Sequence, residues 1–548
     1  MSKGTRELSN CMLSRLTRSL GFRIMSSPVH KKAKLEVSIE QPVVQKKPQQ
    51  PKKDKAQKQA EKYAKLQKKS KLQSVERGGP EENIFLDVRH LLGDAVVDTH
   101  IKEESCFAAK YDFGTELELE ISQMSSSGDG LAITECKSWV VAVPFCLPGE
   151  RILARVYRNS YCHSYADLVK VLDKRDSWRD DEQIKCRYFG SCSGCQYQMI
   201  PYERQLLLKQ RVVEKAYERF SHLAPELIPS ILPTIASPKQ YNYRTKITPH
   251  FQAAPKNAGD DYDAKIGFDM KGRRSTIDIE ECPIATETLN VGMKPARANV
   301  KATIKNYKRG ATLLLRDSMV RPADAASATS VDIPPVDLSA IKPDERTCIT
   351  DHKQITREIV GDKLFEFTAG SFFQNNSSIL VPLTQYVLEA LPEKKKDPMY
   401  LVDTYCGAGL FSICLQERFD KVAGIEISEQ SISYAKHNVK LNGLDDSKIS
   451  FRVGRSEAIF DVVKDFPAEN TSVIIDPPRK GCDEPFISQL KQFRPHRVVY
   501  VSCNVHTQAR DVGMLCGEDG PYSIESLRGF DLFPQTSHVE GVAVLKLK

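Results

Sequence analysis

The stretch Leu401-Val-Asp-Thr-Tyr-Cys-Gly-Ala-Gly-Leu-Phe411 indicates the fold more clearly than any other part of this 548-residue sequence. It begins as an apolar strand, passes through a glycine-containing turn and continues into a helical pattern. Gly407 and Gly409 would let the backbone approach a ligand at the carboxyl end of the first strand of a doubly wound sheet. The stretch therefore predicts a cofactor site in an α/β domain.

Two more acidic residues are predicted at the same sheet edge. Glu426 ends the next strand, about 20 residues after Gly407, where dinucleotide folds place a ribose-binding acid. Asp476 ends a later strand and is followed by two prolines. Ser412 replaces the third glycine of the dinucleotide fingerprint, which weakens an assignment to NAD. Asp403 and the proline turn favour S-adenosylmethionine (SAM) instead.

The pattern of apolar runs divides the chain into four predicted parts. From about residue 355 onward, strands alternate with helices, which is typical of a parallel, doubly wound sheet. Short strands with glycine and proline turns over 115–172 predict a small β-barrel. The predicted parts are a basic, largely disordered tail (1–95), the barrel (110–175), a mixed α+β central domain (180–355) and a Rossmann-like domain (356–548). No apolar run is long enough to predict a transmembrane helix.

The positive charge of the chain is concentrated near its beginning. The formal net charge is +8, yet residues 1–77 contain 20 Lys and Arg against six Asp and Glu, a net +14, so the rest carries −6. An RNA-binding body would therefore depend on local basic patches. Residues 1–24 resemble a targeting presequence, and Met25 offers a second start after Met1. We therefore expect a mitochondrial location, a nuclear or cytoplasmic one, or both.

Cys503 is the candidate nucleophile. It ends the apolar run that begins at Val498, at the edge predicted for the cofactor. The alternative is a buried structural cysteine, but Asn504 beside it and Glu540 before the last strand favour a functional role. A thiolate that adds to carbon 6 of uracil makes carbon 5 nucleophilic, and a base then removes the carbon 5 proton. Pyrimidine C5 methylation needs both groups, with Cys503 as nucleophile and Glu540 as general base, whereas amino-group methylation needs neither.

A second group of cysteines indicates a metal site. The chain has 15 cysteines, an odd number, which argues against a disulfide framework. Cys186, Cys192 and Cys195 form a Cys-x5-Cys-x2-Cys run, and Cys282 lies downstream. Thiolates select zinc or iron–sulfur clusters, and a tight loop with glycines suits a [4Fe–4S] cluster. Zinc and unmetallated cysteines remain the alternatives.

Taken together, these motifs resemble the RNA uracil-5-methyltransferase family, which makes 5-methyluridine in tRNA or rRNA. The matching stretches are 372–376, 403–410, 476–481, 502–504 and 538–540, with 186–195 and 278–283 upstream. Residues 116–172 are similar to the RNA-binding TRAM barrel of the family, so the resemblance covers about 115–548. One departure is Val505, where bacterial members usually have proline.

The resemblance implies the roles of particular residues. It implies SAM contacts from Gln374, Tyr405, Glu426 and Asp476, with Cys503 as nucleophile and Glu540 as base. It also implies that the [4Fe–4S] ligands are Cys186, Cys192, Cys195 and Cys282.

The long basic tail, Met25 and the insertion at 318–345 resemble features of eukaryotic, fungal-type members of the family, which methylate uridine 54 in the T loop of tRNA. We therefore expect a monomeric tRNA enzyme. The alternatives are an rRNA substrate, because the barrel and cluster also occur in the bacterial rRNA branch, and a non-catalytic RNA-binding or RNA-folding protein.

Two basic clusters are candidate RNA contacts, each with aromatic residues nearby. The target base would be flipped into the pocket, while unstacked bases and loop shape are recognised. The predicted phosphate contacts are Arg244, Lys246, Lys271, Arg273 and Arg274. The predicted stacking residues are Tyr241, Tyr243 and Phe268.

Overall fold

The computed structural model describes residues 78–103, 105, 110–175, 177–255, 257–259, 262–320, 344–454 and 463–548. The chain divides into two units, Met1–Leu66 and Gln67–Lys548, and every described residue belongs to the second. The targeting segment, the Met25 start, the basic tail up to residue 77 and most of the insertion at 318–345 lie outside the described residues.

Within the described residues, two short helices precede the first strand. They are α1 (Pro80–Leu92) and α2 (Asp94–Lys102). A proline at the first position and acidic residues in the first turn favour the start of α1. Ile84, Val88 and Val97 are buried in an apolar cluster with residues of the neighbouring sheet. The prediction that the disordered tail extends to residue 95 is therefore wrong from residue 80 onward. Contact with the sheet stabilises these two helices, and composition alone does not reveal such contacts.

Six strands occupy the stretch for which the sequence predicts a small barrel. They are β1 (Glu116–Glu120), β2 (Gln123–Met124), β3 (Asp129–Ile133), β4 (Val140–Pro144), β5 (Arg151–Asn159) and β6 (His163–Asp173). Their order is β1-β5-β6-β4-β3-β2, with one parallel pair, β4 and β6. The bent segment β1–β2 pairs with β5 at one end and with β3 at the other, so the sheet closes around its own apolar core.

The next helix packs against the C-terminal sheet and the next strand joins that sheet, although both fall within the predicted central domain. They are α3 (Tyr202–Phe220) and β7 (Leu232–Ile235). The buried face of α3, which includes Val213 and Tyr217, shares one apolar cluster with strands of that sheet. β7 adds a strand to the edge of the sheet. Apolar packing places α3 and β7 against the C-terminal sheet. Their position in the sequence, far before the other strands of that sheet, does not predict this.

The central region contains two small sheets and one helix. Its elements are β8 (Lys246–Ile247), β9 (His250–Phe251), β10 (Ile266–Asp269), β11 (Thr276–Asp278), α4 (Glu287–Thr303), β12 (Ala311–Thr312), β13 (Leu315–Met319) and β14 (Arg346–Ile349). The sheet orders are β11-β10-β9-β12 and β14-β13-β8. A hairpin of β15 (Ile355–Val360) and β16 (Lys363–Thr368) follows.

The C-terminal region is the predicted doubly wound α/β domain. Its elements are α5 (Leu380–Ala390), β17 (Tyr400–Thr404), α6 (Leu410–Leu415), β18 (Lys421–Glu426), α7 (Glu429–Leu441), β19 (Ile449–Val453), β20 (Thr471–Ile475), α8 (Glu484–Phe493), β21 (Arg497–Ser502), α9 (Val505–Cys516), β22 (Tyr522–Phe530) and β23 (Glu540–Leu547). The sheet order is β19-β18-β17-β20-β21-β23-β22-β7. The strands from β19 to β21 in this order are parallel, which confirms the predicted fold class.

This strand order brings the predicted site residues to one edge. The order reverses between β17 and β20, and ligands of such sheets bind at the carboxyl ends of strands beside that point. β23 runs antiparallel to β21, and Ser502 pairs with Gly541. The beginning of β23 therefore lies at the same edge as the end of β21. None of the helices in the described ranges is long and apolar enough to cross a membrane.

A buried ion pair joins α3 to the segment before β23. Lys209 and Asp531 are both fully buried, and the Lys209 ammonium contacts the Asp531 carboxylate and the Phe533 carbonyl oxygen. The Tyr202 hydroxyl donates to the other carboxylate oxygen of Asp531 at 3.0 Å. Gln205 adds a hydrogen bond to the side chain of Gln535 at 3.0 Å. α3 thus holds the approach to β23 by polar contacts as well as by apolar packing.

We predict that Lys209→Ala lowers the free energy of unfolding by about 3–5 kcal/mol, because it leaves the Asp531 carboxylate buried without its cation. The matched control is Arg211→Ala on the same helix, since Arg211 is 73% exposed in its ion pair with Glu214. This control should cost less than about 1 kcal/mol. Urea unfolding followed by circular dichroism measures both. Equal effects of the two variants would contradict the structural role of the buried pair.

Candidate active site

The turn after β17 has three residues with left-handed backbone angles, and one of its glycines faces unfilled space. Tyr405, Gly407 and Gly409 have φ values of 61°, 55° and 91°. A Cβ atom on Gly409 would lie 3.1 Å from Ile413 Cδ1 and 3.2 Å from Phe451 Cζ, whereas Gly407 has nothing within 4 Å of that position. The left-handed φ of Gly409 and the close approach of Ile413 and Phe451 therefore both favour glycine there, and Gly407 leaves space for a ligand to approach the backbone.

Two carboxylates hold this turn. Glu426 accepts hydrogen bonds from the backbone N–H of Gly407 at 3.3 Å and of Ser428 at 3.0 Å. One oxygen of Asp403 accepts from the N–H and hydroxyl of Ser412, at 2.8 and 2.6 Å. The other oxygen is buried without a hydrogen-bond partner among the described residues. Burial raises the pKa of Asp403 to about 7. Ser412, which departs from the dinucleotide fingerprint, thus ties α6 to the end of β17.

Asp476 and Gln374 meet at the same edge. Burial, together with the charge of Asp403, raises the pKa of Asp476 to about 7, while a hydrogen bond with the Gln374 side chain opposes this shift. Gln374 belongs to the segment between β16 and α5. There, the Phe373 ring stacks on Phe367 with centroids 4.4 Å apart. The strand pattern gives no signal for Gln374, and only the family motif identified it.

The side chain of Tyr405 points away from this group of acids. Its ring packs on Phe486 with centroids 5.5 Å apart, and its hydroxyl is hydrogen-bonded with Cys482. Burial raises the pKa of this hydroxyl. Among the four predicted SAM contacts, Gln374 and Asp476 touch each other, and Glu426 anchors the glycine turn. Tyr405 contributes its backbone to that turn.

The structure brings Cys503 and Glu540 together. Cys503 lies between β21 and α9, and Glu540 is the first residue of β23. Glu540 is fully buried, and neither carboxyl oxygen has a hydrogen-bond partner within the described part of the chain. Burial, with a contribution from Asp476, raises the pKa of Glu540 well above its usual value. Burial and the charge of Glu540 raise the pKa of Cys503 to about 12.

Arg479 is the cation of this group, and our reasoning from the sequence missed it. Its side chain is hydrogen-bonded with Cys503, and its charge favours the ionised forms of both Cys503 and Glu540. Its position directly after Asp-Pro-Pro, at the cofactor edge, was the available signal.

This arrangement can perform nucleophilic catalysis beside a cofactor. The edge holds a thiol, a cation that stabilises the thiolate, and a buried carboxyl with raised pKa that accepts protons strongly once it is ionised. Gly407 leaves open space at the turn after β17. The structure therefore brings the predicted nucleophile, the predicted base and the predicted cofactor contacts Asp476 and Gln374 to one edge of the sheet.

The four candidate metal ligands are neighbours. Burial raises the pKa of Cys192 to about 11, and the charges of Cys282 and Cys186 add to this effect. Burial also raises the pKa of Cys195, again with contributions from the three other thiols. Across the described ranges, however, no three Cys, His, Asp or Glu side chains are arranged to hold a metal ion. The four thiols are thus close enough to affect each other's pKa, but their side chains are not arranged around a common metal position.

Several predicted RNA contacts have other partners. Tyr243 is 3% exposed and its hydroxyl donates to the Pro534 carbonyl at 3.0 Å, so the prediction that it stacks on a base is wrong. Lys271 pairs with Asp129 at 2.8 Å. Arg273 pairs with Asp167 and lies over the Tyr157 ring, 4.8 Å from its centroid. The Lys185 ammonium lies over the ring of Tyr241 at 4.5 Å, Phe268 is partly buried in an apolar cluster, and Arg274 is exposed.

Arg244 and Lys246 line a small open cavity. Its volume is about 140 Å³, and its lining includes Phe372, Phe373 and Asn375. Phe372 is 72% exposed, and it lies two residues before Gln374. Burial lowers the pKa of Lys246, with smaller contributions from Arg316 and Arg244. The basic residues of the first predicted cluster thus lie beside the segment that carries Gln374.

The comparisons with known proteins match the part of the chain that holds this candidate site. The sequence profile of tRNA (uracil-5-)-methyltransferases matches residues 344–548, which hold every candidate catalytic and SAM residue. A crystal structure of the Pyrococcus abyssi tRNA (uracil-54, C5)-methyltransferase in complex with S-adenosyl-L-homocysteine is similar with a TM-score of 0.54. It is 25% identical, and the match covers 78% of this chain and all of that chain.

Two fungal proteins are similar over most of their length. The tRNA (uracil(54)-C(5))-methyltransferase of Schizosaccharomyces pombe is 44% identical over 488 residues, 88% of this chain and 86% of the relative. The enzyme of the same name from Saccharomyces cerevisiae is 41% identical over 471 residues, 78% of this chain and 73% of the relative. By this similarity, which extends well beyond the catalytic sheet, the chain belongs to the tRNA (uracil-5-)-methyltransferase family.

Proposed function

We propose that this protein transfers a methyl group from SAM to carbon 5 of uridine 54 in the T loop of tRNA, through a covalent adduct with Cys503. The observation that carries the proposal is the cluster of Cys503, Arg479, Asp476 and Glu540 at one sheet edge. The names of the two fungal relatives and of the archaeal structure support the choice of tRNA and of position 54.

The residues of the cluster account for each bond change. The Cys503 thiol loses its proton to solvent water. Its sulfur then bonds to carbon 6 of the flipped uracil, and the electron pair of the carbon 5–carbon 6 double bond moves toward the carbonyl oxygen at carbon 4, which gives an enolate. SAM would supply an electrophilic methyl group, which carbon 5 would take as the methyl–sulfur bond breaks and its electron pair stays on the sulfur. The Glu540 carboxylate then removes the proton from carbon 5, and the carbon 6–sulfur bond breaks as the double bond reforms.

The electrostatics of the free protein suit this sequence of events. With a pKa of about 12, Cys503 is held as a neutral thiol, and Arg479 is the group that favours its thiolate. Glu540 is fully buried with no hydrogen-bond partner among the described residues, which makes its carboxylate a strong proton acceptor once formed. Asp476 and Gln374 would face SAM, and Gly407 would let it approach the backbone.

We predict that Cys503→Ala abolishes 5-methyluridine at position 54 of tRNA in cells that carry only this variant, because no adduct can form. Nucleoside analysis by mass spectrometry of purified tRNA and rRNA measures the result. The control is Cys516→Ala in α9, which removes a sulfur from a 3% exposed cysteine in the same domain. Persistence of 5-methyluridine in the Cys503→Ala cells would refute the catalytic role, and loss from rRNA alone would favour the rRNA alternative.

We predict that Glu540→Gln lowers kcat by about 10²–10⁴ and accumulates the methylated adduct, because the carbon 5 proton has no acceptor. Denaturing gels detect the adduct as a protein–RNA band of reduced mobility. Absence of the band, with normal binding of RNA and SAM, would contradict the assigned role.

The same variant should show a characteristic pH dependence of stability. Because the folded-state pKa of Glu540 is raised, its carboxyl costs nothing below the usual value of 4.5 and destabilises the folded protein increasingly as pH rises above it. The Tm of Glu540→Gln, relative to that of the unaltered protein, should therefore be higher at pH 8 than at pH 5. A constant difference across this pH range would show that Glu540 is not buried as a carboxyl.

We propose that the closed sheet of residues 116–173 is a TRAM barrel that binds RNA, together with the cavity beside Gln374. Its size and strand pattern support the first part. The exposed ring of Phe372 beside Arg244 and Lys246 supports the second, since aromatic stacking next to basic groups is how unstacked bases are held.

We propose that Cys186, Cys192, Cys195 and Cys282 hold a [4Fe–4S] cluster, with zinc as the alternative. The mutual influence of the four thiols supports a shared site. The positive φ of Gly190, 87°, gives the first three cysteines a tightly turned loop. In this role the thiolates would supply all the protein ligands of the cluster.

We predict that anaerobically purified protein is brown, with visible absorbance and about four iron and four sulfide ions per chain. The Cys192→Ser variant should lose the visible absorbance as well as the iron and sulfide. The control is Cys136→Ser, which alters an exposed cysteine of the β3–β4 turn. A colourless protein that contains one zinc ion would overturn the iron–sulfur proposal in favour of zinc.

A further inference from the structure

The segment that begins at Gly78 lies against the loop that carries Cys503. The Asn504 side-chain N–H₂ donates to the Gly78 carbonyl at 3.2 Å and to the Arg479 carbonyl at 2.9 Å. The side-chain oxygen of Asn504 accepts from the backbone N–H of His506 and so caps α9. The residue next to the nucleophile is thus tied to the Arg479 loop on one side and to the N-terminal segment on the other.

The approach of the two backbones depends on a glycine. Gly78 has a φ of 69°, and a Cβ atom there would lie 2.4 Å from Thr507 Cγ2. Any other residue would therefore push the segment away from the first turn of α9. Thr507 also donates to the Arg479 carbonyl at 3.1 Å, so the contact involves the same loop.

A second contact follows one helical turn later. The Asn83 side-chain N–H₂ lies 3.2 Å from His506 Nδ1. Burial lowers the pKa of His506 to about 4, so its ring is neutral. Nδ1 accepts this hydrogen bond in the tautomer that carries its proton on Nε2, and the side-chain oxygen of Asn504 also lies 3.3 Å from Nδ1. The ring also packs edge-on against Phe220 of α3, with centroids 5.1 Å apart. Asn83 thus holds a ring that is wedged between α1, α3 and α9.

The other end of the segment is anchored to different parts of the molecule. Asp87 is fully buried and accepts from the backbone N–H of Ser126, in the loop between β2 and β3, at 2.7 Å. It also pairs with Lys215 at 3.2 Å and with Arg219, both on α3. The segment is therefore fixed to the closed sheet and to α3, and not only to the loop of the nucleophile.

We infer that residues 78–92 act as a positioning strap for the nucleophile, with Asn83 and Gly78 as its contact residues. The strap holds Asn504 in place, and Asn504 in turn sets the distance between Cys503 and the loop of Arg479. It also connects the closed sheet, the proposed RNA-binding part, directly to the nucleophile loop. Since the reaction of Cys503 is what the strap would assist, the inference rests on the proposed function.

The rate of adduct formation tests the strap directly. In tRNA that carries 5-fluorouridine at position 54, carbon 5 holds a fluorine that a base cannot remove as a proton, so the methylated adduct persists. Under saturating tRNA and SAM, we expect Asn83→Ala and Gly78→Ala to slow single-turnover adduct formation at least tenfold. Dissociation constants for tRNA and SAM should change less than twofold.

The controls separate positioning from folding. His90→Ala alters an exposed residue of the same helix and should leave the rate unchanged. Asn83→Gln retains the amide donor and should restore part of the rate lost in Asn83→Ala. In the Asn83→Ala variant without RNA, the rate at which iodoacetamide alkylates Cys503, and the pH dependence of that rate, should differ from those of the unaltered protein. Loss of stability alone does not produce this difference below Tm.

The outcomes distinguish the inference from the proposed function. If the unaltered protein forms no adduct at all, the proposed function fails. If it forms the adduct and both variants form it at the same rate, or if the variants lower only Tm, the strap is refuted. Slower adduct formation with unchanged RNA binding, and with partial rescue by Asn83→Gln, is the result that supports it.

Discussion

The antiparallel pairing of β23 with β21 is the constraint on which the candidate site depends. The five preceding strands of the sheet order are parallel, and a sixth parallel strand would begin at the opposite edge. Because β23 runs the other way, its first residue, Glu540, lies beside the end of β21, and the pairing of Ser502 with Gly541 sets the register. A shift by one residue would turn Glu540 away from Cys503, since successive side chains of a strand face opposite sides of the sheet.

The site gathers acidic groups that do not favour folding. Asp403, Asp476 and Glu540 all have raised pKa values, each with burial as the main cause, and Glu540 has no hydrogen-bond partner among the described residues. The nearest cation, Arg479, belongs to an exposed loop. Such groups are typical of functional sites, where perturbed pKa values serve chemistry at the expense of stability.

Parts of the chain outside the doubly wound sheet support this arrangement. α3 fixes the approach to β23 through Lys209 and Asp531, and its apolar face completes the core beneath α9. The Ser537 hydroxyl donates to the Ser127 carbonyl of the closed sheet at 3.0 Å, three residues before Glu540. The approach to β23 is therefore held by contacts with residues that lie more than 300 positions earlier in the chain.

The amino-acid sequence by itself determined the α/β class and the edge at which the site lies. Glycine turns and acids at strand ends are local patterns, so Gly407, Glu426, Asp476 and Cys503 could be identified from strand periodicity alone. Gln374 required the family motif, because it lies in a segment with no strand or helix signal of its own.

Only the tertiary structure decided which side chains are exposed enough to bind RNA and which are buried or paired with other residues of the protein. Tyr243 is buried, Lys271 and Arg273 have acidic partners, and residues 80–95 are helical rather than part of a disordered tail. Arg479 emerged as the partner of Cys503 in the same way. The physical reason is that burial, ion pairing and helix stability at these positions depend on contacts between residues far apart in the chain, which periodicity and composition do not contain.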